Sequence, residues 1–222
     1  MTAVTWSHSA LKDYEGCPRR YHEVKVLKNY TFQDTQATLY GKEFHEAAEH
    51  YIKDNTPLPK HFEFMQDILD ALKVKPGRKL CEYEMGITKD LRPCSFYDEN
   101  RWVRGIADLI IIDDDNLTAR VVDYKTGNNK YPDRDQLTLM SLMVFAHFPH
   151  IRRVTSALLF VLKNDMVKSS MLVGEAADAW GNYRERVARI EKAHETNVWN
   201  PKPTPLCGWC AVKTCEYNTK RN

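Results

Sequence analysis

The most informative segments of this chain are Gly105-Ile106-Ala107-Asp108 and Val121-Val122-Asp123-Tyr124-Lys125-Thr126-Gly127. Each belongs to a run of apolar and β-branched residues, at 102–112 and 118–124, and such runs are typical of buried β-strands. Four Asp and Asn residues at 113–116 separate the two runs and favour a tight turn. The sequence therefore predicts an antiparallel hairpin over residues 102–124.

Charged residues interrupt this predicted hairpin. Asp108 breaks an otherwise apolar strand, and Asp123 and Lys125 share one face at the end of the next strand. Two carboxylates at one place would bind a hard divalent cation such as Mg²⁺ or Mn²⁺. A neighbouring lysine would hold an attacking water and offset charge that develops on a phosphate. A salt bridge at the strand end is the alternative, although carboxylates within apolar strands need partners.

The regions on either side of the hairpin show helical and strand periodicity in alternation. Cys17-Pro18 falls inside the first helical region, where the proline is expected to restart or kink the helix. The predicted helices cover 7–22, 41–54, 60–73, 133–147 and 175–195, and the predicted strands cover 79–88, 102–112, 118–124, 151–162 and, at a sheet edge, 167–173. This order predicts a mixed α/β domain.

Length and composition indicate a globular protein. The 222 residues fit one domain over 1–222, which comprises a helical part (1–78), an α/β core (79–195) and a cysteine-rich tail (196–222). A hydrophobic fraction of 43% excludes a disordered chain. The net charge of +2 means that nucleic-acid binding must depend on local basic patches.

The sequence carries no sign of export. It has neither a long apolar stretch nor an N-terminal basic region followed by an apolar one. We therefore expect no membrane span and no secretory signal. The expected location is the cytoplasm, of a bacterium or of a phage-infected host.

Three cysteines are grouped near the C-terminus as Cys207-x2-Cys210-x4-Cys215. In a chain without a secretory signal, grouped thiols bind metal more often than they form disulfides. Zinc or an iron–sulfur cluster would need a fourth ligand in addition to these three. Cys81 and Cys94 fall outside the pattern and are expected to be ordinary thiols.

Taken in order, the motifs resemble the RecB-like branch of the PD-(D/E)XK nuclease superfamily. The similar motifs are Ser7-x-Ser9-x-Leu11 with Tyr14 and Cys17-Pro18-Arg19-Arg20-Tyr21, then Gly41-Lys42-Glu43-Phe44-His45, Gly105 to Asp108, Asp123 to Gly127, and Gln136. Gln136 corresponds to the glutamine of a Q-x-x-x-Y motif in that branch. The sequence departs from the branch at the tyrosine, because Met140 stands in its place.

The resemblance implies a restriction-endonuclease-like core, with a central mixed sheet flanked by helices. It implies that one or two Mg²⁺ or Mn²⁺ ions are held by His45, Asp108, Asp123 and the Tyr124 carbonyl. The implied catalytic residues are Lys125, Asp108, Asp123 and Gln136, with Lys125 positioning the attacking water. Glu82 and Glu84 alternate on the preceding strand; one of them could add a ligand, but exposure to solvent is the expectation.

The resemblance also implies an iron–sulfur staple between the two ends of the chain. In its iron–sulfur branch, which includes AddB-type nucleases, CRISPR-adaptation nucleases and exonuclease V, one N-terminal cysteine joins three C-terminal cysteines on a [4Fe-4S] cluster. The corresponding residues are Cys17, Cys207, Cys210 and Cys215. Zn²⁺ at the same four thiolates is the alternative.

The predicted function is that of a metal-dependent DNA nuclease, an exonuclease that acts on ends or single strands. Arg19, Arg20 and Tyr21 are candidate DNA contacts because they adjoin the proposed staple. The sequence has no G-x-x-x-x-G-K-[ST] loop, so unwinding would depend on a helicase or recombination partner. Two alternatives are a nuclease-derived accessory protein that binds DNA without cleaving it, and a zinc-stapled nucleic-acid-binding module.

Overall fold

The computed structural model describes residues 4–31 and 33–219. Its contacts divide the chain into two units, one of Met1–Gln33 with Gly181–Asn222 and one of Asp34–Trp180. The expectation of a single domain with three parts stays a prediction. No helix in the described part of the chain is long and apolar enough to cross a membrane.

A six-stranded sheet forms the centre of the second unit. Its strands are β1 (Arg78–Thr88), β2 (Pro93–Cys94), β3 (Arg101–Asp113), β4 (Thr118–Lys125), β5 (Arg153–Phe160) and β6 (Asp165–Leu172). They lie in the order β2-β1-β3-β4-β5-β6, and within this sheet only the β4–β5 pair is parallel. The predicted hairpin is the β3–β4 pair, and β6 lies at an edge as expected.

Helices cover both faces of this sheet. They are α3 (Gln36–Asp54), α4 (Gln66–Lys73), which follows a 3₁₀ turn at Lys60–Met65, and α5 (Arg134–His147). Leu159 packs in the core formed by α3 and α4, whereas its neighbours Leu158 and Phe160 pack against Leu137 of α5. Successive side chains of a strand point to opposite faces, so the helices lie on opposite sides. This confirms the predicted mixed sheet flanked by helices.

The helix α3 begins five residues earlier than the sequence predicts. Thr35 caps it, because its side chain accepts a hydrogen bond from the Thr38 N–H while the Thr38 hydroxyl accepts one from the Thr35 N–H. This reciprocal capping satisfies two N–H groups at the start of the helix. Apolar residues of α3 pack against β3 and β4; they are Phe44, Ala48, Tyr51 and Ile52.

The first unit contains the N-terminal helices and the tail. Its elements are α1 (His8–Gly16), α2 (Pro18–Tyr21), a π-helical turn (His22–Val26), the residues of α6 (Ala176–Thr196) from Gly181 onward, and a 3₁₀ turn (Pro205–Trp209). Cys17 is extended between α1 and α2, and Pro18 starts the new helix, as expected. Residues 220–222 of the predicted tail lie outside the described residues.

Candidate metal and catalytic site

Adjacent strands of the sheet present the two aspartates at one place. The register of β3 and β4 pairs Leu109 with Val122, so Asp108 and Asp123 are the next residues along the two strands. Asp108 is 8% exposed and Asp123 is 6% exposed. One carboxylate oxygen of Asp108 (Oδ2) accepts the Tyr124 N–H at 2.6 Å, which fixes its orientation. Its other oxygen, Oδ1, faces α3.

The helix α3 places His45 against these strands. Its neighbour Phe44 is fully buried in the core, and this packing fixes the face that α3 turns toward the sheet. His45 Nδ1 lies 3.4 Å from Asp108 Oδ1, and Nε2 lies 3.2 Å from the carbonyl oxygen of Tyr124. The structure therefore brings together three of the four predicted metal ligands.

Glu82 on β1 joins this group. Its Oε1 lies 3.7 Å from His45 Nδ1, and one ligand atom from each of His45, Glu82 and Asp108 lies within 4.8 Å of the other two. Glu84, two residues further along β1, is exposed and accepts the Tyr97 hydroxyl at 3.4 Å. Glu84 is therefore exposed to solvent as expected, whereas Glu82 contacts His45.

A local distortion of β1 at Glu82 explains why strand alternation alone predicts exposure to solvent for this residue. Its φ of 45° is in the left-handed region, which is rare for a residue with a side chain. In a regular strand, Cys81 and Glu82 would point to opposite faces. Here Cys81 packs against the core that contains Phe44, and Glu82 contacts His45, so both face α3. Periodicity in the sequence gives no signal for such a distortion.

Asp123 belongs to a second cluster beside the first. Lys125 Nζ lies 2.6 Å from Asp123 Oδ2, and the amide of Gln136 on α5 donates to Asp123 Oδ1 at 2.5 Å. The Lys125 side chain is about one-third exposed, so it can reach a bound substrate. Met140 is buried one turn beyond Gln136 and fills the space beside Gly105. The RecB-like branch has a tyrosine at this position.

The electrostatics of the site follow from burial and from the close carboxylates. Burial by itself lowers the pKa of His45, but the Asp108 and Glu82 carboxylates beside its Nδ1 outweigh burial and raise it to about 10. Burial and the Asp108 carboxylate raise the pKa of Asp123 above its ordinary value, although Lys125 opposes them. Without a metal ion, a protonated His45 therefore supplies the positive charge between Asp108, Glu82 and the Tyr124 carbonyl.

A cavity of about 750 Å³ opens onto this group. It is lined by α3 residues, by Glu82, and by Thr126 and Gly127, which follow Lys125. Gly41 allows α3 to approach this loop closely, because a Cβ atom there would lie 3.0 Å from Thr126 Oγ1. The cavity is therefore continuous with both the His45 group and the segment that carries Lys125.

A second cavity, of about 580 Å³, lies within the first unit and is lined by all four predicted cluster cysteines. Cys17 Sγ accepts the Lys202 N–H at 3.4 Å, and Cys207 Sγ accepts the Thr204 N–H at 3.3 Å. Among residues 4–31 and 33–219, no three cysteine sulfurs lie within 4.8 Å of one another. Cys81 and Cys94 are not among the residues that line this cavity.

The candidate DNA contacts lie in the same unit. Arg19 pairs with Glu216 at 3.2 Å, and Arg20 pairs with Asp13 at 3.4 Å. Tyr21 is 5% exposed, and its ring packs against Trp199 with centroids 5.9 Å apart. This burial indicates a packing role for Tyr21, whereas the two arginines line the cysteine cavity.

The fold and the site together define the class of this protein. The mixed sheet places Asp108 on one strand and the Asp123-x-Lys125 motif on the next. The sequence profile of the PD-(D/E)XK nuclease superfamily matches residues 5–215. The chain belongs to that superfamily, as the motifs indicate, and its assignment to the RecB-like branch stays a prediction.

A solved structure shares the fold of this chain, and another aligns with it over most of its length. A crystal structure of a protein from Eubacterium rectale that is assigned as an exonuclease is 14% identical, with a TM-score of 0.55; the alignment covers 97% of this chain and 87% of the other. A crystal structure of a protein named SSO0001 is 15% identical, with a TM-score of 0.47 and coverages of 96% and 87%. No curated protein sequence matches the chain significantly.

Proposed function

We propose that this protein is a metal-dependent DNA exonuclease of the RecB-like branch, which hydrolyses phosphodiester bonds at DNA ends or in single strands. The observation that carries the proposal is the meeting of His45, Asp108 and the Tyr124 carbonyl beside the Asp123–Lys125 pair. A non-catalytic accessory protein would have no chemical use for this whole set. The membership of a nuclease superfamily supports the same conclusion.

The donor set fits Mg²⁺ or Mn²⁺. Carboxylate and carbonyl oxygens are the ligands that both ions prefer, and one imidazole is compatible with Mn²⁺. His45, Asp108 and the Tyr124 carbonyl would hold the first ion, and Glu82 adds a carboxylate that the motifs did not assign. Asp123 would complete the shell or contribute to a second ion. A bound divalent ion would polarise the phosphate and favour ionisation of a water molecule.

The remaining residues position the nucleophile. Lys125, held at 2.6 Å from Asp123, would donate a hydrogen bond to the attacking water or to a phosphate oxygen and offset negative charge in the transition state. Gln136 holds the Asp123 carboxylate from the other side and so fixes the direction of Lys125. The attacking water loses a proton to solvent as its oxygen bonds to phosphorus, the bond to the leaving sugar oxygen breaks, and that oxygen takes up a proton from solvent.

We further propose that Cys17, Cys207, Cys210 and Cys215 hold a [4Fe-4S] cluster. Support comes from their shared cavity and from the N–H groups that point at two of the sulfurs, because hydrogen bonds to sulfur are a feature of iron–sulfur sites. Zn²⁺ at the four thiolates is the alternative. The colour and metal content of anaerobically purified protein separate the two, because iron–sulfur protein is brown and zinc protein is colourless.

Digestion of labelled DNA tests the proposed activity. Wild-type protein with Mg²⁺ or Mn²⁺ should degrade linear single-stranded DNA from an end and leave circular single-stranded DNA intact. Asp108→Asn should lose cleavage, with the rate reduced by at least about 10²-fold, because the change removes a charged ligand beside His45. Asp115→Asn, in the exposed turn after β3, is the matched control and should cleave normally.

Three results would revise the proposal. Cleavage of circular DNA as fast as linear DNA would make the protein an endonuclease. Binding of DNA without cleavage, under the same conditions and with or without an added helicase, would favour the accessory protein. Cleavage by Asp108→Asn at the wild-type rate would show that the assigned site is wrong.

A further inference from the structure

The segment that precedes the C-terminal cysteines has an alternating sequence, Pro201-Lys202-Pro203-Thr204-Pro205. Proline has no backbone N–H and a fixed φ, so only Lys202 and Thr204 can donate a main-chain hydrogen bond here. A residue before proline is also restricted to extended conformations, and Thr204 has a φ of −142° and a ψ of 163°. We call residues 201–205 the proline strap. It is stiff, and it offers two N–H groups.

Both of these N–H groups donate to cysteine sulfurs. The Lys202 N–H donates to Cys17 Sγ at 3.4 Å, and the Thr204 N–H donates to Cys207 Sγ at 3.3 Å. The Thr204 hydroxyl is a further 4.0 Å contact to the Cys207 sulfur. Cys17 follows α1 and Cys207 lies near the C-terminus, so the strap joins distant parts of the chain.

Other contacts of the first unit hold the strap in place. The Lys202 ammonium donates to the carbonyl oxygen of Glu15 in α1 at 2.8 Å. The Glu15 side chain is itself held by Arg186 of α6 through two hydrogen bonds of 2.7 and 2.8 Å. Thr204 caps the 3₁₀ turn that carries Cys207, because its hydroxyl accepts the Leu206 N–H at 3.2 Å. The two donors are thus fixed independently of any metal.

We propose that the proline strap is a preformed set of hydrogen-bond donors that orients Cys17 and Cys207 for the iron–sulfur cluster. Once the cluster is bound, the same donors raise its reduction potential. This inference rests on the cluster proposed above. An N–H group that donates to a thiolate stabilises negative charge on the sulfur. Reduction increases the negative charge of a cluster and of its thiolate ligands. The two N–H···S hydrogen bonds therefore raise the reduction potential of the cluster. They also oppose protonation and release of the two sulfurs and thereby slow the loss of the cluster.

The test compares two variants at one position. Lys202→Pro removes the N–H that reaches Cys17, together with the ammonium, whereas Lys202→Ala removes only the ammonium. Relative to Lys202→Ala, we expect Lys202→Pro to shift the midpoint potential to lower values. We also expect its visible absorbance to be lost in air about tenfold faster, the effect of losing one hydrogen bond to a charged group. Both quantities are measured on the full-length protein, without reference to cleavage.

A backbone ester separates the hydrogen bond from the shape of the strap. Ligation of a synthetic tail allows the amide between Pro201 and Lys202 to be replaced by an ester, which keeps the side chain and removes the N–H. This variant decides the question if Lys202→Pro does not fold, and it should show the same lower potential and faster loss.

The outcomes distinguish the strap from the cluster. Wild-type protein without iron would overturn both the cluster and the strap. Brown wild-type protein, with an ester variant equal to wild type in potential and lifetime, would overturn the strap alone. A lower potential and a shorter lifetime in both the proline and ester variants would establish it.

Discussion

At the scale of single residues, Glu82 combines a strained backbone with a useful carboxylate. A left-handed φ costs an L-residue about 1–2 kcal/mol, whereas glycine adopts it freely. We expect Glu82→Gly to leave the free energy of unfolding in urea nearly unchanged, since the relief of backbone strain offsets the lost contact with the protonated His45. The same change should weaken Mn²⁺ binding by about tenfold, measured by calorimetry.

Glu84 supplies the matched control for this prediction. It lies two residues further along β1, is exposed to solvent, and does not have a positive φ. Glu84→Gly should therefore lower the free energy of unfolding by about 0.5–1 kcal/mol and leave Mn²⁺ binding unchanged. Equal loss of stability in both variants would contradict a strained Glu82.

His45 makes metal binding depend on pH. Its pKa of about 10 in the metal-free site means that it is protonated at neutral pH, whereas a metal ligand must be deprotonated. Binding therefore releases a proton, and the affinity for Mn²⁺ should rise by about tenfold per pH unit as the pH increases toward that pKa. Calorimetry in buffers of different ionisation enthalpy measures the released proton.

The histidine variant tests the assignment of this proton. In His45→Gln, the affinity should be weaker and its dependence on pH should be much smaller, because the neutral amide releases no proton. Wild-type affinity that is constant between about pH 6.5 and about pH 8.5 would contradict the prediction, since a group with a pKa near 10 must titrate on binding in that range.

At the scale of elements, α3 meets the segment after Lys125 through Gly41. In Gly41→Ala, the new Cβ would lie 3.0 Å from Thr126 Oγ1, so the loop must move by a few tenths of an ångström. We expect the rate of DNA cleavage to fall by about tenfold, because a small displacement near the chemistry is costly. Removing the hydroxyl as well, in Gly41→Ala/Thr126→Ala, should restore most of the rate.

Gly181, in α6, serves as a control that shows how much helix propensity alone contributes to the free energy of unfolding. A Cβ at Gly181 in α6 would meet nothing within 4 Å. Gly181→Ala should therefore increase the free energy of unfolding by up to about 1 kcal/mol through helix propensity, with cleavage unchanged.

If the Thr126→Ala change does not rescue Gly41→Ala, the close approach at Thr126 is not the cause of the loss.

At the scale of the whole molecule, the cysteine site would join the two ends of the chain. Cys17→Ser should bleach the visible absorbance and lower the free energy of unfolding, on the order of 2–5 kcal/mol, because a link across so long a loop restricts the unfolded chain. Cys81→Ser is the control, since Cys81 packs against the core of the other unit and should leave the absorbance unchanged. Full iron content in Cys17→Ser would exclude the N-to-C link.

The two proposed metal sites should respond differently to chelation. Oxygen ligands with one imidazole suit Mg²⁺ or Mn²⁺, whereas thiolates suit iron or zinc. Mild EDTA treatment should therefore stop cleavage and leave the visible absorbance in place, and Mg²⁺ or Mn²⁺ should restore activity without added iron. Still-brown protein that cleaves DNA at full rate after EDTA would contradict a two-site assignment.

Most of the helices and strands, and the order of the motifs, are predictable from the amino-acid sequence alone. Strands, helices and the hairpin are visible because alternation and 3.6-residue periodicity are local properties of the chain. The hairpin turn also determined that Asp108 and Asp123 would meet, since register in a short hairpin follows from the turn. The spacing of Asp123 and Lys125 placed both on one face of β4.

The groups from other elements that reach these aspartates depend on how the folded chain packs. Glu82 joins His45 because β1 is distorted at a positive φ, and Gln136 reaches Asp123 because α5 packs against the sheet. The pairing of the Lys202 and Thr204 N–H groups with sulfurs also depends on residues distant in sequence. Such contacts arise from the packing of whole elements, which local periodicity does not encode.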